Sequence, residues 1–171
     1  MMKMLMFGGA AALILSTAAT AAAPSDPQIA HIAYTAGQID IAAGKQALAR
    51  SHDKRVRAFA QEMVRDHQAV NVKALALVKK LHVTPEANPT SAALSKGAAA
   101  KLKELARLHG RAFDRAYVRN EVAYHRTVNG ALRDTLIPGA RNGELKSLLE
   151  TGLTLFTEHQ KHAEHVAAEL R

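Results

Sequence analysis

An all-α, antiparallel four-helix bundle is the fold class that this 171-residue sequence predicts. Three observations carry it. Apolar residues make up 48% of the chain but aromatics only 4%, with no Trp, so the core must be built from small and aliphatic side chains that favour close helix packing over a β-sandwich. No segment alternates polar and apolar residues with the two-residue period of a strand. Four long stretches instead repeat their apolar positions in steps of three and four, the signature of one buried helical stripe.

The chain opens with MMKMLMFGGAAALILSTAATAAAPSDP, which reads as a targeting segment and not as part of the fold. Lys3 is a minimal positive start, Leu5 to Leu15 an apolar run, and Thr17 to Ala23 a stretch of small residues suited to signal peptidase. A secretory signal peptide is therefore expected over residues 1–23, cut between Ala19 and Ala23, with the folded domain over 24–171. The apolar run is short for a membrane span, so the mature form is expected to have no transmembrane segment and to be periplasmic or otherwise exported.

The first helix is expected from about Asp26 to Arg50 and the second from about Asp53 to His82. HVTPEANPTS (82–91), with Pro85 and Pro89, breaks the pattern. A shorter Ala- and Lys-rich helix follows from Ser91 to His109, ending at Gly110. The third long helix spans about Arg111 to Leu136, IPGARNG (137–143) forms a turn, and the last helix runs from about Glu144 to Leu170. Each long helix is roughly 40 Å at the standard rise. Short links join the first pair and the last pair, and the long link across 83–110 carries the chain between the two hairpins, the single-crossover pattern of ferritin-like bundles.

Stepping by three and four picks the core face of each helix. In the first it gives Ala33, Ala36, Asp40, Ala43 and Ala47. In the second it gives Val56, Phe59, Met63, His67, Val70, Ala74, Leu77 and Leu81. The third yields Phe113, Tyr117, Glu121, Tyr124 or His125, Val128 and Leu132. The last yields Leu145, Leu148, Gly152, Leu155, His159, His162, Val166 and Leu170, so that TEHQKHAEH (157–165) turns two of its three histidines inward and leaves His165 at a rim. Asp40, His67, Glu121 with His125, and His159 with His162 all lie near the middle of their helices. In an antiparallel bundle mid-helix positions share a layer, so every helix is expected to supply ligand-type groups to one level of one core.

An unpaired buried carboxylate is costly, and a cluster of titratable groups needs protons, partners or a cation. The chain has no Cys, which removes thiolate sites and leaves His, Asp and Glu to hold any ion. His67, Glu121, His125, His159, His162 and Asp40 are the candidate ligands, for zinc, copper or iron.

The stretches GQIDIAAGKQAL (37–48), VRAFAQEMVRDH (56–67), FDRAYVRNEVAYH (113–125) and LTLFTEHQKHA (153–163) resemble the bacterial exported family named domain of unknown function 4142, over about residues 28–170. The resemblance implies a ferritin-like four-helix bundle in the cell envelope and brings no established activity. Many members of the wider superfamily bind two metal ions through one carboxylate on each of two helices and a Glu-x-x-His on each of the others. This sequence departs from that pattern. Val64 stands three before His67, Glu121 and His125 are four apart, and Phe156 and His159 precede His159 and His162 by three. With few bridging carboxylates, a single histidine-rich site is implied in place of a di-iron oxidase.

Two function classes remain. One is an envelope protein binding a transition metal in its core. The other is a non-catalytic structural or interaction module, whose buried His/carboxylate network is metal-free and whose basic surface meets an anionic envelope component or a partner protein. Loss of Lys3 with the leader leaves 22 basic against 15 acidic residues, scattered along the chain, which does not point to nucleic acid. Neither a Gly-rich phosphate loop nor a nucleophile elbow appears, so no nucleotide cofactor is expected and an enzyme is the less favoured reading.

Overall fold

The computed structural model describes residues 23–170, so the leader read over residues 1–23 lies outside the described residues except for Ala23. The described residues form helices without a strand: α1 (Asp26–Arg50), α2 (Lys54–Lys80), α3 (Pro89–Leu105), α4 (Gly110–Ala131), a π-helical turn (Leu132–Leu136), the single turn α5 (Ile137–Gly139) and α6 (Gly143–Glu169).

Polar side chains start the helices where the first-turn N–H groups lack intrahelical acceptors. Asp53 accepts from the N–H groups of Arg55 and Val56, and Asn142 from those of Glu144 and Leu145. Asn88 and Ser91 cap α3 reciprocally. Asp26 reaches across the molecule: its carboxylate accepts from the N–H groups of Arg141 and Asn142, each at 2.8 Å, and ties the start of α1 to the link before α6.

The expected turn at IPGARNG begins later than the sequence indicated. Ile137–Gly139 continue the helical path, and only the residues around Ala140–Asn142 leave it. Pro138 has no N–H to offer and its ring crowds the carbonyl four residues back. The π turn directly ahead of it widens the helix at that point, which lets the chain pass the proline without stopping.

α1, α2, α6 and α4 surround the core in that cyclic order, each antiparallel to its neighbours, while α3 climbs the outside of α1 as the crossover. α1 and α2 come close because Gly44 has no side chain: a Cβ there would lie 3.1 Å from the Ala60 carbonyl and 2.8 Å from Val64 Cγ2. The core has two halves. Towards the α1–α2 turn it is filled by Val56, Phe59, Met63, Phe113, Tyr117 and Val166 with their neighbours. Towards the π turn it holds Ile29, Ile32, Leu132, Leu136, Leu145, Leu149 and Phe156. Between the two halves lies a layer of buried polar side chains.

The stripes read from sequence match the half towards the α1–α2 turn and are corrected elsewhere. Ala33 on α1, Val70, Ala74, Leu77 and Leu81 from the second stripe, and Val128 on α4 are only half-buried, and Asn71 and Asn129 are buried in their place. On α6 the buried residues are Leu145, Leu149, Gly152, Phe156, His159, Ala163 and Val166, so Leu148, Leu155 and His162 stand beside the stripe and not in it. On α1, Asp40 is inward and Ile39 is only half-buried. On α4, His125 takes the position left open between it and Tyr124.

Candidate metal centre

The polar layer brings together Asp40 from α1, His67 from α2, Glu121 and His125 from α4, and His159 from α6, all at most 3% exposed. Each of His67, His125 and His159 offers a ring nitrogen within 4.8 Å of those of the other two, and Asp40, Glu121 and His125 form a second such trio. The three imidazole centroids are 5.3 to 5.7 Å apart. Asp40 Oδ2 lies 3.1 Å from His67 Nε2 and 3.3 Å from His125 Nε2, in directions too poor for a hydrogen bond.

The outer nitrogen of two of these rings is already committed. His125 Nδ1 is 3.0 Å from the Glu121 main-chain carbonyl, which can only accept, so Nδ1 must donate and Nε2 carries a lone pair. His159 Nε2 is 3.1 Å from Asp66 Oδ2. Against the upward push of partial burial, hydrogen bonds from Arg65 and His159 hold Asp66 below the usual carboxylate range, so it is ionised and accepts. His159 Nε2 therefore donates and Nδ1 carries the lone pair. Neither ring is a cation at neutral pH. Burial, helped by His67, lowers His125 despite the attraction of Asp40, and burial together with the nearby His67 takes His159 to about 4.

Burial alone would raise Asp40, but His67 and His125 overcome it and hold the carboxyl at about 2, so it is ionised. Glu121 goes the other way: burial, then the charge of Asp40, pushes it well above the ordinary range and favours its protonated form. The centre thus contains an anionic carboxylate, two inward imidazole lone pairs and the His67 ring. Both Asp40 oxygens, both His67 nitrogens, His125 Nε2, His159 Nδ1 and Glu121 Oε2 are buried without a hydrogen-bond partner. The Asp40 carboxylate and the lone-pair nitrogens of His125 and His159 are acceptors buried in one layer, and a divalent cation is a group that relieves them together. The outer partners that fix the tautomers of His125 and His159 are the arrangement that metal-ligating histidines almost always show, whereas His67 has none.

Phe156 closes the layer from the π-turn side, stacked on His67 with centroids 4.5 Å apart. Asn129 holds Phe156 in place by donating to its carbonyl at 3.1 Å. His162 does not join the layer. It is partly exposed, its Nδ1 pairs with Glu62 at 2.7 Å, and its ring meets the edge of Phe59. His165, expected at a rim, is exposed beside Glu169. Asp66 and Phe156 were not among the sequence candidates. Asp66 was visible only as the neighbour of His67, and Phe156 only as an apolar residue three before His159.

Fold and layer together define a ferritin-like helical bundle with buried histidine and carboxylate groups geometrically able to hold a metal ion. The chain belongs to the family "Domain of unknown function (DUF4142)", whose sequence profile matches residues 13–166. Its fold is similar to the crystal structure of a Streptomyces coelicolor protein of the DUF305 group described as a putative secreted protein, with a TM-score of 0.70 at 14% identity, over 85% of this chain and 93% of that one. No curated protein matches the sequence.

Proposed function

We propose that this is an exported cell-envelope protein that binds one divalent transition-metal ion in the middle of its bundle. His67, His125 and His159 are the nitrogen ligands and Asp40 the carboxylate beside them. Glu121 and Asp66 act from behind, Glu121 through its carbonyl on His125 and its acid group next to Asp40, Asp66 through His159. Zinc, copper and iron suit this nitrogen-rich set, with copper the strongest competitor among divalent ions. His162, on the flank with Glu62, is not assigned a ligand role. The observation that carries the reading is three buried imidazoles with ring nitrogens within 4.8 Å of one another, one of them, His125, turning its lone pair to an ionised Asp40 at 3.3 Å. Export rests on the signal-like residues 1–23 and on the secreted description of the structural neighbour.

The test is elemental analysis of the purified protein, before and after chelation and reloading. About one metal per chain is expected, lost in the His125→Ala/His159→Ala variant and kept in His162→Ala. Equal uptake by the double variant overturns the reading.

A second reading is favoured by Glu121. A proton held there neutralises one acid and is available to Asp40, so the layer can persist as a metal-free network in a structural or interaction module. That reading predicts chelator-insensitive, salt-sensitive binding to an anionic surface or partner protein.

A further inference from the structure

The half of the core between the metal layer and the π turn is hollow. It contains a cavity of about 330 Å³, in a class of interior that normally leaves few voids larger than a water molecule. The cause is in the sequence: Ala33, Ala36, Gly37, Ala74 and Gly152 stand where the opposite half places Phe59, Met63, Phe113 and Tyr117. The residues expected to seal this half, Val70, Ala74, Leu77 and Val128, remain only half-buried because they line the space.

Shape and chemistry narrow the occupant. The lining on α6 extends from Leu145 to Phe156, a rise of about 16 Å along the bundle axis. A space of that length with an almost wholly apolar wall suits an extended hydrocarbon chain. No charged side chain lines it, so it offers no counter-charge to an ionised head group. One buried polar side chain does: Asn71, one turn beyond His67 and 5% exposed, has an amide Nδ2 without a hydrogen-bond partner on the cavity wall, while Thr90, Thr127 and Thr135 line it from exposed positions.

We propose that this cavity binds a single alkyl chain bearing an uncharged oxygen (an alcohol, ester or amide), with that oxygen accepting from Asn71 Nδ2 and the chain running towards the π turn. The site is separate from the metal ligands, and Phe156 stands between them with one face on His67.

The experiment is a thermal melt and calorimetric titration of the purified protein with 1-decanol, decanoate at pH 8 and naphthalene, with chelator present throughout so that metal occupancy plays no part. Decanol is expected to bind saturably, one per chain, and to raise the melting temperature, with decanoate and naphthalene at least about tenfold weaker. The Ala33→Leu/Ala74→Leu variant, whose added methylenes fill the space, should melt no lower than the parent and lose the decanol response. Asn71→Leu, tested alongside, should weaken decanol about tenfold while leaving decane unchanged. Decanol binding that is absent, that matches naphthalene, or that survives in Asn71→Leu overturns the proposal. So does an undiminished response in a folded Ala33→Leu/Ala74→Leu variant.

Discussion

Glu121 and His159 sit within one layer, yet burial drives their protonation in opposite stability directions. Glu121 has a folded value above the ordinary 4.5, so its contribution to stability is complete below that pH and is lost as the pH rises. His159, at about 4 in the folded chain against an ordinary 6.5, contributes fully above pH 6.5 and loses about 3 kcal/mol as the pH falls towards 4. Glutamine at position 121 copies the protonated acid and removes the first effect alone. Metal-free Glu121→Gln is therefore expected to exceed the parent at pH 8 by at least about 1 kcal/mol, or about 3 °C in Tm, and to show no gain at pH 4. Its remaining stability should climb between pH 4 and 6.5 as His159 requires. Parent and variant melting together at pH 8 would mean that Glu121 ionises there without cost. Residue types and helix positions gave away these candidates in the sequence; their protonation states were not legible, because those depend on which partner stands behind each ring.

The helices show where reading by period succeeds and where it fails. Steps of three and four from Leu145 pass through Gly152, His159 and Val166 whichever step comes first. The two phases differ only at the residues between, and there both offer apolar neighbours: Leu148 or Leu149, Leu155 or Phe156. Only packing against the neighbouring helices chooses, and it selects Leu149, Phe156 and Ala163, which moves His162 to the flank facing Glu62. The π turn was illegible for a related reason, since Pro138 signals a break but not that the preceding turn will absorb it. Contacts between helices also make one substitution act with opposite signs. Gly44→Ala drives a methyl into the α1–α2 contact and should destabilise by about 1–3 kcal/mol. Gly97→Ala, on α3 with open space around it, should stabilise by about 0.5–1 kcal/mol through helix propensity. Denaturant midpoints for the two variants check both. A gain at both positions would mean that α1 and α2 are not held as close as Gly44 permits.

At the scale of the molecule, the polar layer joins two core halves of different character: one filled with aromatics, the other hollow. That all four long helices contribute to one level was legible, since mid-helix residues of antiparallel rods must meet. The hollow was not, because Ala and Gly read equally well as close packing. The metal-free layer is a poor joint, with buried polar atoms on α1, α2, α4 and α6 that lack hydrogen-bond partners. A cation bound there ties four helices at once, whereas α3 supplies no ligand and buries only Ser91 and Leu105. Metal at about a hundred times its Kd should therefore add about 2.7 kcal/mol, some 5–10 °C in Tm. Amide exchange should slow in the middle of all four long helices and hardly change in α3. Protection confined to α2 and α6 would place the ion outside, between Glu62, Asp66 and His159, which form a third, partly exposed trio on that face. Uniform protection including α3 would instead describe a general tightening of the fold with no ion at the layer, and the joint would then be closed by protons alone.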